Sequence, residues 1–299
     1  MRRYLILLAL LAGLGAGSAA CWITADGAPR SGGVVKAERS PAAAGREVTA
    51  VQLAARSFDS AALHQSVRAY IQKRPGKVGV MATDLRTGTS FGENEKGRFV
   101  TASIMKVDIL SSLLLQRQRD GRGLSGRERV LAGTMIRQSD NMAANALYSA
   151  AGDSSGVART NRAFGLKQTR PFHISWGSSL TSPADQVRLL TNLASDASPL
   201  NADARRYVLR LMGSVVEEQA WGISAAARPG ENVALKNGWT PVRHQGHGWA
   251  INSIGRVTGR DHDFLIAVCS GDNPTMGAGV ATVEHVADMV ADTMRASHS

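Results

Sequence analysis

Cysteine is nearly absent: the 299 residues contain two, Cys21 and Cys269. A scaffold stapled by disulfides is excluded, and a 43% hydrophobic content excludes a disordered chain. Long apolar runs are missing as well. The run from Leu5 to Leu14 falls short of the roughly twenty residues that span a bilayer. Acids are outnumbered, 24 against 35 lysines and arginines, which gives a net charge of +11 and an anionic neighbourhood. Aromatics make up 5% and do not interleave with a basic stripe, so no nucleic acid is expected as a partner. Between Ser154 and Ala184 there is no acid at all.

The amino terminus has an address. Arg2 and Arg3 precede the apolar run, and small residues follow to Ala20, the order of a secretory signal over residues 1–20. Ser18-Ala19-Ala20 before Cys21 resembles a lipoprotein signal, although such signals usually place Leu where Ser18 stands. The two readings are lipidation on Cys21, which would anchor the protein at the outer face of the membrane, and plain cleavage after Ala20. Both export the chain. Arg2-Arg3-Tyr4-Leu5-Ile6 also fits a twin-arginine signal. Residues 21–56, rich in Ala, Gly, Arg and Ser, read as a flexible tether to a domain over 57–297.

Within that domain Asp59 can cap a helix to about Lys73. Val78–Asp84 reads as a strand, and Arg86-Thr87-Gly88 turns the chain into a second one ending near Val100. Helical spacing governs Ile104–Arg117, Glu128–Gln138 and Met142–Ala150. Ser182-Pro183 opens another helix, and Asn201 or Asp203 the next, to Leu211. Val233–Lys236, Trp249–Ile254 and Phe264–Cys269 are strands, with Cys269 a buried, inert thiol. Gly277–Ala296 holds a closing helix with Val280, Val283, Val286 and Met289 along one face. The expected class is therefore α+β: an antiparallel sheet from both chain ends, plus a central helical lobe. A groove between the two would suit a small molecule.

Three short motifs carry chemistry. In Ser103-Ile-Met-Lys106, residues three apart share a helix face, so hydroxyl and amine can meet. A lysine activates a serine only when desolvation or a nearby cation lowers its pKa. Ser139-Asp140-Asn141 sits between two helices, and Lys236-Asn237-Gly238 closes a strand. Taken singly, each has an ordinary explanation: a capped helix with a snorkelling lysine, a polar interhelical turn, an exposed edge lysine.

In this order the three resemble the motif set of the penicillin-recognising serine enzymes, and residues 58–296 resemble a class A β-lactamase domain. Ser139–Asn145, Thr181–Asp185 and Gly248–Gly255 extend the likeness. The resemblance implies that Ser103 attacks an amide carbonyl while Lys106 helps remove its proton. Backbone N–H groups of Ser103 and Trp239 would form the oxyanion hole, with Gly238 letting a ligand approach. Ser139 would pass a proton to the leaving nitrogen, Asn141 would orient the acyl side chain, and Lys236 would hold a carboxylate. Asn237 and Trp239 would line the pocket beside it. No metal or organic cofactor is implied. The expected partner is a β-lactam or cell-wall peptide, taken up by a monomer.

Three departures from that family pattern stand out. Ser103 and Ser139 are 36 positions apart, closer than usual, so the helical lobe is trimmed. The loop that normally supplies a glutamate to activate the deacylating water falls in the acid-free stretch, where His173 is the remaining candidate base. Asn237 replaces a Thr or Ser, and bulky Trp239 follows Gly238. Slow hydrolysis is the expectation. The alternatives are a wall-peptide-binding lipoprotein without chemistry and a D-Ala-D-Ala carboxypeptidase or transpeptidase. Two rival motifs are discounted. Gly152-Asp-Ser154-Ser155-Gly156 follows a helix instead of a strand, and His244–His247 and Asp261–Asp263 read as solvated hairpin turns.

Overall fold

The computed structural model describes residues 58–242 and 247–297. The expected signal, the tether and Cys21 lie outside the described residues, as does His244. Asp59 caps α1 (Ser60–Ile71), its carboxylate accepting the Ala62 N–H at 2.9 Å. The chain continues through β1 (Lys77–Asp84) and β2 (Ser90–Glu93), then a short β3 (Phe99–Val100). The helical block comprises α2 (Met105–Arg119), α3 (Gly126–Arg137), α4 (Asn141–Ala150) and α5 (Asp153–Ala163). After β4 (Leu180–Thr181) come α6 (Pro183–Ala194) and α7 (Ala202–Met212). Strands β5 (Asn232–Pro241), β6 (Trp249–Thr258) and β7 (Asp263–Asn273) precede α8 (Met276–Ala296).

Five strands form one antiparallel sheet in the order β2-β1-β7-β6-β5, joining the two chain ends as the sequence implies. Strand alternation gives the sheet two covered faces. Ile254, Leu265, Ala267 and Cys269 pack under α2–α7, while Val80, Leu235, Ile266 and Val268 pack under α1 and α8. Helix α8 buries Val283, Val286, Ala287, Val290 and Met294, one stripe of a 3.6-residue period. Helix α2 is buried almost all round, so its polar residues Lys106, Asp108, Ser111 and Ser112 are buried with it.

The second expected strand is divided. Asn94 takes a left-handed φ of 49° and its side chain donates to Val78 O at 2.9 Å, which turns the chain out of the main sheet. Phe99 and Val100 pair instead with Thr181 and Leu180. The turn at Asp261–Asp263, expected to be solvated, is so only in part: Asp261 is exposed, but the next two residues are held. His262 is 4% exposed, stacks on Phe264 and lies 3.1 Å from a Glu231 oxygen, while Asp263 is held by Arg256. Its apolar neighbour on a buried strand draws the ring inward. Gly152 and Gly156 have structural reasons: the first takes φ 79° before α5, and a Cβ on the second would strike Ala151 O. Ser154 lies in the first turn of α5, away from any strand-to-helix elbow.

Candidate active site

Ser103 sits in a 3-10 turn, Ala102–Ile104, immediately before α2. Three elements grip that turn. From the loop before β4, Ser179 O accepts the Thr101 N–H at 2.8 Å. From β6, the buried Asn252 donates to Val100 O at 2.8 Å and Thr101 O at 3.0 Å, and accepts from Ser270 N–H. From β5, Gly238 comes so close that a Cβ there would stand 2.8 Å from Ser103 N, Ile104 N and Thr101 O. Ala102, just before the serine, is held at φ 45°. A left-handed non-glycine residue costs on the order of 1–3 kcal/mol and survives only where its surroundings enforce it.

One helical turn on, Lys106 is fully buried. Its amine donates to Ser139 O (2.6 Å), Ser139 Oγ (3.0 Å) and Asn141 Oδ1 (2.8 Å), so the first two motifs meet at one nitrogen. Ser139 presents both oxygens because it too is left-handed, φ 60°. Asp140 turns outward and caps α4 through Ala143 N–H. Burial lowers the Lys106 pKa to about 7, against a weaker opposing pull from Asp140. The amine is therefore partly neutral at neutral pH and can accept a proton. The Trp176 ring lies 5.0 Å from that nitrogen, its indole N–H held by Asn145 at 2.7 Å.

Strand alternation decides what the third motif can offer. Lys236 and Gly238 face the helical layer, whereas Asn237 and Trp239 face the opposite side. Lys236 is fully buried, its amine on Asn237 O at 2.9 Å, and it is no exposed edge lysine. Desolvation, then the Lys106 charge, hold its pKa well below the ordinary value. The Asn237 side chain was expected beside the ligand; it points elsewhere. It donates to Gln219 O and Trp221 O and accepts from Ser253 Oγ at 2.6 Å, tying β5 to the preceding segment. The Trp239 ring likewise packs edge-on against Trp221 at 5.9 Å.

Ser103, Asn141, Trp176 and Trp239 line one crevice of about 150 Å³, together with Ala102, Ser175, Gly177, Ser178 and Thr240. Five of the expected site residues thus converge directly: Ser103, Asn141 and Trp239 at the crevice, Lys106 and Ser139 through Asn141. Gly238 abuts the Ser103 turn, and Lys236 is near enough to Lys106 for their charges to repel.

The family model described as the beta-lactamase enzyme family matches residues 62–130 and 115–294. The chain belongs to this family. Solved structures agree on the fold: a PBP-A variant captured as an acyl-enzyme complex with penicillin G aligns with TM-score 0.69 at 18% identity, covering 79% of this chain and 97% of its own. TLA-1 extended-spectrum beta-lactamase aligns with TM-score 0.70 at 19% identity, covering 79% and 99%. Among curated proteins, "Putative lipoprotein LppW" of Mycobacterium tuberculosis H37Rv is 25% identical over 198 residues, 64% of this chain. The chain spans 62% of the length of that curated relative.

Against the beta-lactamase pattern, the crevice lining contains no Asp, Glu or His among the described residues. His173 is exposed in the loop and does not line it. Trp176 is the large side chain the loop brings in, and the sequence offered no clue to its role. Asn252 was also missed, though an asparagine inside the apolar run of β6 was a usable signal. No cluster of three His, Cys, Asp or Glu side chains able to hold a metal occurs among the described residues.

Proposed function

We propose that the protein is an exported serine hydrolase of the class A β-lactamase type that forms an acyl-enzyme on Ser103 and releases it slowly. The substrate is a β-lactam or a cell-wall stem peptide. The single observation that carries this reading is the neutral-prone amine of Lys106, bound to Ser139 and Asn141 one turn from Ser103. In the proposed sequence Lys106 takes the Ser103 proton as the oxygen bonds to the amide carbon. The resulting oxyanion is stabilised by the Ser103 and Trp239 N–H groups, often the largest catalytic contribution. As the carbon–nitrogen bond breaks, the Ser139 hydroxyl gives its proton to the leaving nitrogen and recovers one from Lys106. Lys236 and Asn141 hold the carboxylate and the acyl side chain.

Slow release follows from the crevice, where an indole covers Lys106 and no acid activates water. Of the other reading, a D-Ala-D-Ala carboxypeptidase or transpeptidase, that observation favours the transpeptidase, whose acyl-enzyme passes to an amine of the wall without an activated water. In this account residues 1–20 direct export, 21–56 tether the domain 57–297, and Cys21 takes a lipid, a reading supported by the likeness to the lipoprotein LppW. The expected test result is that fluorescent penicillin labels the wild type and not Ser103→Ala. Equal labelling of both would place the nucleophile on another residue, and labelling of neither would leave a wall-peptide-binding protein without chemistry.

A further inference from the structure

A second cavity, about 520 Å³ and larger than the catalytic crevice, opens between the end of α2, the start of α3 and the face of α7. It shares no lining residue with the crevice. Arg117 near the end of α2 helps line it while Ser103 precedes the same helix, and at 1.5 Å per residue the two sites lie roughly 20 Å apart. Residues 117–137 and 196–210 hold nine arginines against four acids. Two of the lining arginines are neutralised: Arg117 by Glu128 at 2.6 Å and Arg206 by Asp203. Three more are exposed and carry charge that no close carboxylate offsets. Arg122 has only a 3.8 Å approach to Asp120, Arg129 donates one N–H to Leu124 O, and neither Arg129 nor Arg210 has a carboxylate partner among the described residues. Arg210 lies over the ring of Tyr207, 5.5 Å from its centre, and both residues line the groove.

We infer that this groove binds a linear phosphate-bearing polyanion. Guanidinium forks match phosphate oxygens in pairs, and three of them spread over three segments suit successive groups along a chain better than one small anion. A membrane surface fits less well. Val130 is the single exposed large hydrophobic of this region among the described residues, too little for an inserted face. Helix α1, with which the described domain begins, also packs on the opposite side of the sheet from the groove.

The test measures binding of long-chain inorganic polyphosphate to the full-length protein, with orthophosphate and phosphatidylglycerol vesicles in parallel. The paired variant Arg122→Gln/Arg210→Gln is compared with Arg86→Gln/Arg162→Gln, which removes the same charge from exposed positions elsewhere. The expected result is salt-sensitive polyphosphate binding, weakened about tenfold or more by the groove variant and much less by the control. Penicillin labelling of Ser103 should be unchanged in both, which separates this inference from the proposed function. Equal weakening by both variants, displacement by orthophosphate at matching phosphate concentration, or tighter binding to vesicles than to polyphosphate would each overturn it.

Discussion

Lys106 and Asp108 lie two residues apart on the same buried helix, and burial pushes each toward its neutral form. For Lys106 the consequence, under the proposed mechanism, is catalytic. With a pKa lowered to about 7, the free amine accumulates as pH rises through neutrality, so acylation by a β-lactam should climb between pH 6 and 8 with a midpoint near 7. A rate that is flat over that range would show that Lys106 is not the base. Asp108 is fully buried, with one oxygen lacking a partner, and desolvation followed by the Asp185 charge raises its pKa to about 8. The folded state therefore binds the proton more tightly than the unfolded chain, whose carboxyl has the ordinary value near 3.8. That contribution to stability is complete below about pH 4 and is lost as pH rises toward 8. Relative to wild type, Asp108→Asn should gain stability steadily over this interval in urea titrations at several pH values. A constant difference would mean that Asp108 is ionised in the fold.

The Ser103 turn depends on contacts that no local pattern announces. Asn252 satisfies two buried carbonyls on it, so Asn252→Ala should cost roughly 2–3 kcal/mol in unfolding free energy and slow acylation as well. Gly238→Ala drives a methyl group into the Ser103 and Ile104 N–H groups and Thr101 O. The strand must then move away, carrying the Trp239 N–H with it. Acylation should fall roughly a hundredfold, since displacements near 1 Å are costly to orientation, and the thermal transition should drop as well, overpacking of this kind costing about 1–3 kcal/mol. An unchanged rate would place the oxyanion contacts elsewhere. The helices other than α5, and β5–β7, were readable because caps and apolar periods are local. Ser182-Pro183 and Asn201 start α6 and α7 where their side chains accept the expected N–H groups. What escaped was set by tertiary demand. Asn94 broke a strand that looked continuous, and His262 went inward because Phe264 and Glu231 were waiting. Asn237 turned from the ligand because period-two alternation assigns it the other face from Lys236.

Across the described domain, the two ends of the chain build the sheet and its middle supplies the helices, so Ser103 and Ser139 meet within the helical block while Lys236 comes from the sheet packed against it. The sequence motifs announced that meeting through family likeness; the covering of Lys106 by Trp176 came only from the fold. An enzyme arranged to acylate without an acid to drive water should hold its adduct. The most direct test follows the intact mass of the protein after a pulse of benzylpenicillin and removal of the excess. The account predicts one added drug mass on the wild type that persists over many minutes, and none on Ser103→Ala. Absence of any adduct, an adduct on the alanine variant, or rapid return to the native mass with hydrolysed drug in solution would contradict it.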